Sequence, residues 1–294
     1  MKRIVIEPCF NEVHMEKLHI RNLCDYFKPD VYIIAEGIFP AGPENKMDKK
    51  AYNAFVNKYT LDGVRSFDFE ELKQEIEKCK VEYPNTEFHL IEMSYPTGQT
   101  TDKTYYELFT FFINGLVEVG PDDIIIPSEA DMFFTKEQAI KCNNLIDLLP
   151  PNRGFGSSYL NFFESPKVQK IIRFGRKVAF RYGDGSFYKQ VMEKFLWEPE
   201  YCKILPIHDF RTFHYEWVRP DKYFTMRVEQ VPREWSDEFI KARDLIRTKP
   251  KNLAYRLSSE IQQRWTFELS VVNLKKEQHP VHMHAHESFK YYYE

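Results

Sequence analysis

Through residue 127 the chain alternates short β-branched runs with amphipathic stretches, and this alternation narrows its possible folds more than any other feature. KRIVIEP (2–8) is a β-branched run halted by Pro8. In EVHMEKLHIRNLCDYF (12–27), Met15, Leu18, Leu23 and Phe27 recur at roughly helical spacing, and Asn11 stands where a helix N-cap would. DVYIIAEG (30–37) reads as a second strand ending at Glu36, FDFEELKQEIEKCK (67–80) as a helix and EFHLIEM (87–93) as a third strand. TTDKTYYELFTFFINGL reads as a helix beginning near Thr101, and DDIIIPS (122–128) as a fourth strand, apolar enough to be central and covered on both faces. Strands joined by helices predict a mainly parallel sheet with crossover helices, an α/β fold. The polar stretch 37–65 reads as a long, partly helical insertion.

After residue 150 the texture changes. RGFGSSYLNFF, KIIRFGR and VAFRYGDGS read as short strands with Gly turns, hence a more antiparallel second half, and SDEFIKARDLIR as a late helix. No repeat, low-complexity segment or clear linker interrupts residues 1–294, so a single domain is expected.

Composition excludes several function classes. A formal net charge of -3 gives no general attraction to nucleic acid or to an anionic membrane. Cys9, Cys24, Cys79, Cys142 and Cys202 are scattered, odd in number and without CxxC spacing, which argues against a disulfide framework or zinc knuckle and for a reducing compartment. Glu7 interrupts any signal-peptide core, and no apolar run approaches the roughly 18–20 residues of a membrane span. A soluble, cytoplasmic protein is expected. Aromatics reach 16%, which fits an aromatic core first and permits stacking on sugars or bases second.

The chemistry concentrates where the fourth strand ends. In IIIPSEADMFF (124–134), Glu129 and Asp131 directly follow the most apolar run of the chain. In open α/β sheets, ligands bind beyond the carboxyl ends of the strands, where Glu7, Glu36 and this pair are expected. Residues i and i+2 of an extended chain point the same way, so the two carboxylates can face one hard divalent cation, Mg²⁺ or Mn²⁺. With 44 acids in 294 positions, chance alone gives about six such pairs, so the motif gains weight only from its context, and a solvated strand end is the competing reading.

Four segments carry a resemblance to a known family: EPCFNEVHMEKLHIRNL (7–23), VYIIAEGIFPAGPENK (31–46), DDIIIPSEADMFF (122–134) and FHYEWV (213–218). In order and spacing they resemble segments of GT-A glycosyltransferases, nearest to the β-1,4-mannosyl-glycoprotein N-acetylglucosaminyltransferase family and its bacterial and viral relatives. The likeness spans residues 1–220. Glu129 replaces the usual first Asp of that family's acidic motif, and Met132 a following acid. The resemblance implies a GT-A-like, Rossmann-like fold with a nucleotide-binding half (1–127), a metal and acceptor half (128–250) and a C-terminal tail (251–294). It implies a metal-dependent transferase moving a sugar from a UDP- or GDP-sugar to a glycan or other acceptor hydroxyl. Pro8, Asn11 and Glu12 would line the nucleotide pocket, with Glu36 near the base or ribose. Glu129 and Asp131 would hold the cation on the diphosphate, and His214 would close the site as a further ligand. Imidazole is an acceptable Mn²⁺ ligand, although a His flanked by Phe213, Tyr215 and Trp217 also suits a hydrogen-bonded core position.

An inverting transfer needs a general base, for which Asp209 is the first candidate and Glu216 and Glu164 the next. Arg173, Arg176, Lys177 and Arg181 can face a diphosphate or simply be solvated, and Tyr159, Phe162 and Phe163 can stack on an acceptor sugar or pack in the core. Two rival functions remain. His279, His282, His284 and His286 lie in HPVHMHAHESF, where a strand would align the last three as ligands of a metallohydrolase. The Glu129 departure also allows a nucleotide-sugar-binding module without turnover.

Overall fold

The computed structural model describes residues 1–37, 49–63, 65–92, 115–170, 175–185, 202–205, 211–229, 233–248 and 269–293. The N-terminal half is the expected α/β layer. Strands β1 (Arg3–Cys9), β2 (Val31–Glu36), β3 (Glu87–Glu92) and β4 (Ile124–Pro127) are parallel neighbours in the order β4-β1-β2-β3. β1 therefore has β2 on one side and β4 on the other, which makes the gap between the carboxyl ends of β1 and β4 a topological switch point. Ile124, Ile125 and Ile126 are buried, as a central strand covered on both faces requires.

Helices α1 (Val13–Phe27), α2 (Lys49–Tyr59) and α3 (Phe69–Glu82) accompany these strands. The apolar face of α1, including Val13, Ile20, Leu23 and Phe27, packs into the same core as Val5, Ile34 and Ile126. The helix ends where Lys28 adopts a left-handed conformation and returns its N–H to the Cys24 carbonyl, just before Pro29. Its first turn is capped from a distance: Asp68 Oδ2 accepts from the Val13 amide at 3.2 Å. The helix expected from near Thr101 lies almost wholly outside the described residues, as does 38–48 of the polar insertion.

The second half is more antiparallel, as its Gly-punctuated runs predict. β5 (Met132–Phe133), α4 (Lys136–Asp147), β6 (Arg153–Phe163), β7 (Ser165–Lys170) and β8 (Gly175–Arg181) follow in turn. Next come β9 (Cys202–Leu205), β10 (Arg211–Trp217), α5 (Asp221–Glu229), α6 (Arg233–Thr248) and β11 (Leu269–Val271), and the chain closes with two 3-10 turns and α7 (Glu287–Tyr293). β8 joins the halves by pairing antiparallel with β4 and β6, and the path continues through β7 to β11. β9 and β10 both run parallel to β6. Thr135 opens α4 with a capping box to Gln138, so Thr135→Ala is expected to cost about 1 kcal/mol in urea unfolding.

β10 owes its position to alternation. Phe213 and Tyr215 stack on Phe162, with ring centroids 5.8 and 4.8 Å apart, in a core shared with Phe133 and Phe289. His214 and Glu216 therefore point to the other face. Phe162 and Phe163 are fully buried, which removes them as an acceptor platform, and the Tyr159 side chain lies outside the described residues. Glu7 is also not at a strand end. It sits inside β1 opposite Ile34, because the strand runs through Pro8 to Cys9.

Candidate metal centre

The β4 chain leaves the sheet at Pro127 and turns sharply, with the Met132 amide donating to the Glu129 carbonyl at 2.9 Å. Glu129 and Asp131 thus lie in a tight turn rather than in the extended chain that the i, i+2 argument assumed. What brings them together is β10, which pairs antiparallel with β5. His214 lies opposite Met132, and the Tyr215 amide donates to the Asp131 carbonyl at 2.8 Å. That register delivers the His214 imidazole to both acids: Nε2 is 2.9 Å from Asp131 Oδ1 and 3.3 Å from Glu129 Oε2. The three ligand atoms lie within 4.8 Å of one another, and this is the one such group among the described residues.

The donor set fits a divalent cation. Ligands at about 2.1 Å from an octahedral ion sit about 3.0 Å from their neighbours, close to the two spacings here. Asp131 Oδ1 is buried and receives no aligned hydrogen bond, as suits an oxygen shared with an ion. Two carboxylates with one imidazole suit Mn²⁺ better than an all-oxygen Mg²⁺ site. His214, at 1% exposure, is both a buried strand residue and a potential ligand.

The other oxygen of Asp131 has a different task. Arg219, nearly buried two residues beyond β10, places Nη2 3.0 Å from Asp131 Oδ2 and Nη1 2.7 Å from Glu12 Oε1. Glu12 follows β1 and Asp131 follows β4, so one guanidinium bridges the switch point. Burial alone would raise the Asp131 carboxyl, but His214, Arg219 and Arg227 outweigh it and hold that carboxyl well below the usual range. In Glu12 burial prevails over the pull of Arg219, and its carboxyl is raised.

Behind the turn runs a buried polar chain. Ser128 Oγ is 2.9 Å from His19 Nε2, His19 Nε2 is 3.4 Å from Glu7 Oε1, and Tyr32 donates to the other Glu7 oxygen. Burial, reinforced by Glu16, raises Glu7 well above the ordinary carboxylate value, and burial brings His19 down to about 3. Burial thus works against the charged form of both partners.

The remaining sequence candidates divide. Pro8 lies buried in β1 beside Ala35. Asn11 adopts φ 55 and spends its amide on the backbone, donating to the Tyr59 carbonyl and accepting from the Phe67 amide, both at 2.8 Å. It does not cap α1, whose N-cap position is Glu12. Glu36, buried at the end of β2, accepts from the Ser66 amide at 3.2 Å, and burial lifts its carboxyl to about 8. Asp209 lies outside the described residues. Glu164 is buried against Arg243 and Arg247, and Glu216 is held by Asn161 and Arg227. Arg181 pairs with Asp122, while Arg173 and the side chains of Arg176 and Lys177 are outside the described residues.

The C-terminal histidines do not converge. Residues 281–285 form a 3-10 turn, not the strand that would have aligned them. His279 joins Tyr215 and Tyr293, His282 joins Asp25 and Asn22, and His286 joins Ser288. Arg219 and Arg227 are the site residues that sequence reasoning missed. An Arg two positions after a strand carries no periodic or motif signal.

No protein-family model and no curated protein matches the chain. Two solved structures resemble it loosely. One is a 4-diphosphocytidyl-2C-methyl-D-erythritol synthase from Anaerococcus prevotii, 11% identical, covering 84% of this chain and 98% of that one at a TM-score of 0.35. The other is a 2-C-methyl-D-erythritol 4-phosphate cytidylyltransferase from Francisella tularensis, 10% identical, covering 82% and 98% at 0.33. At TM-scores this low, the functional reading rests on the site itself. Among the described residues no helix is long and apolar enough to cross a membrane.

Proposed function

We propose that this protein is a metal-dependent glycosyltransferase that takes its sugar from a nucleoside-diphosphate donor. The observation that carries this reading is the convergence of Glu129, Asp131 and His214 beside the β1/β4 switch point. A hard cation held there would supply Lewis-acid stabilisation to a departing diphosphate. The chain's own residues do the rest. Glu129 and Asp131 would hold the cation through carboxylate oxygens and His214 through Nε2, while Arg219 fixes the rotation of Asp131 by holding Oδ2. A guanidinium bonded to the outer oxygen of a ligand carboxylate would keep that carboxylate oriented toward the ion. The resemblance to the β-1,4-mannosyl-glycoprotein N-acetylglucosaminyltransferase family supports a nucleotide sugar over other diphosphates, with residues 1–127 as the donor half and 128–250 as the metal and acceptor half.

A thermal-shift panel of UDP- and GDP-sugars, each with and without Mn²⁺, tests the reading. At a hundredfold excess over Kd, a bound donor adds about 2.7 kcal/mol to stability. The expected result is one donor whose shift with Mn²⁺ exceeds the sum of the separate shifts, followed by slow donor hydrolysis. No such synergy for any donor would overturn the proposal. Synergy without hydrolysis would assign a binding module instead.

A further inference from the structure

Two acids that the metal centre does not use meet where α1 begins. Glu7 lies inside β1 and Glu16 in the first turn of α1, and both are fully buried. Their carboxyls are within hydrogen-bonding reach of each other. As carboxylates they can only accept, which leaves Glu7 Oε1 and both Glu16 oxygens buried without a partner. Among the described residues no lysine or arginine pairs with either acid, and Arg219 is spent on Glu12 and Asp131.

The surroundings supply no fixed positive charge. Glu7 faces Tyr32 from β2, whose hydroxyl donates to Oε2, His19 from α1, and the charges of Glu12 and Asp131. Glu16 faces Cys9 from the end of β1, together with Glu12 and Asp68. His19 Nε2 is 3.4 Å from Glu7 Oε1, but burial works against its charged form. Two facing carboxylates repel strongly in a dry interior, whereas one proton between them makes the same contact a charge-assisted O–H···O⁻ bond. Burial first and a neighbouring acid second raise both carboxyls well above the ordinary range, which favours keeping that proton.

We infer that Glu7 and Glu16 share a proton at neutral pH and form an alkali-sensitive clasp between β1 and the start of α1. Protonated, the pair fastens helix to strand. Deprotonated, its two carboxylates push them apart. The Glu16 amide donates to the Glu12 carbonyl at 3.0 Å, and Glu12 carries one end of the Arg219 bridge, so release reaches the turn beside the metal centre. The clasp does not rest on the transferase reading.

Urea unfolding in EDTA from pH 6 to pH 9 tests it, with infrared spectra in heavy water to register protonated carboxyls. A carboxyl raised on folding gives stability that is complete below its unfolded value and is lost as pH rises toward the folded one. Each proton so retained lowers the folding constant by about tenfold per pH unit until the group ionises. Glu12, Glu36, Asp68 and Glu164 are also raised, so the quantity read is the difference between wild type and the Glu7→Gln/Glu16→Gln double variant. The double variant should lose protonated-carboxyl intensity at pH 7 and about tenfold per pH unit of the slope. Amide exchange of residues 13–16 should rise in wild type, relative to the double variant, between pH 7 and pH 9. Glu16→Gln alone removes the like charge and adds an amide donor, so the Glu7 acid band should vanish at a pH lower by about one unit or more. Equal spectra and slopes in wild type and double variant would mean that both acids are ionised in the fold, and would overturn the inference. Exchange that rises equally in both would overturn the clasp. Should the double variant not fold, a Glu16→Gln protein whose Glu7 band titrates as in wild type overturns the inference as well, because the two carboxyls would then not face each other.

Discussion

Glu129→Gln, Asp131→Asn and the double variant are expected to lose nearly the same Mn²⁺-dependent donor turnover, on the order of 10³-fold each. Both carboxylates face one imidazole nitrogen, at 3.3 and 2.9 Å, so either loss leaves an incomplete ligand set for the same ion. Effects of groups that act as a unit do not add. A titration in Mn²⁺ separates binding from chemistry, since a weakened site recovers part of its turnover at high metal. Near-wild-type turnover by either single variant at low metal would return the pair to a solvated strand end. Metal-free stability should distinguish the two acids. From sequence, removing either one relieves repulsion between apposed carboxylates, so the metal-free protein should hold or gain stability. The structure revises this for Asp131, which is buried and paired with Arg219, so Asp131→Asn should destabilise the metal-free chain. Glu129 is more exposed than Asp131, 26% against 6%, and its variant should stay near level.

The sequence revealed the sheet more fully than the site, and the physical reason lies in the range of each interaction. Runs such as 31–35 and 124–126 are apolar along their whole length, and α1 carries its buried face at helical spacing, so local pattern alone places them. The acidic pair was found because it breaks such a pattern. Its geometry was not legible, because a turn replaces the assumed extended chain and the pairing of β5 with β10 across 80 residues supplies the third ligand. His214 was found through the resemblance of FHYEWV, not through its spacing. Arg219 has no local signature at all, since its role exists only once β1, β4 and β10 meet. The C-terminal segment misled in the opposite direction. Alternating histidines look like a ligand row only in a strand, and Pro280 followed by a 3-10 turn sends each toward a different neighbour. Asn11 was half legible: the position next to the helix start is right, but its side chain braces the ends of α2 and of the loop before α3.

Arg219→Met should be the most damaging change to stability near the site, at about 3–5 kcal/mol in metal-free protein at neutral pH. The Met side chain fills much of the same volume, so the loss is chiefly electrostatic: Asp131 and Glu12 stay in place without their shared guanidinium. The pH dependence gives the sign. In wild type the folded Asp131 carboxyl lies below its unfolded value, so its contribution is complete above the unfolded value and is lost as pH falls through the folded one. In the variant, burial is no longer opposed by Arg219, and the folded carboxyls of Asp131 and Glu12 move upward. A group raised on folding destabilises as pH rises through its folded value, so the variant should regain stability relative to wild type between pH 7 and pH 5. Urea unfolding of both proteins in EDTA across that range measures the difference. A gap that stays constant or widens toward pH 5 would mean that Arg219 acts by packing, and that the bridge between the ends of β1 and β4 contributes little. A narrowing gap, accompanied by weaker Mn²⁺ binding at neutral pH, would establish the guanidinium as the element that holds Asp131 ready for the cation.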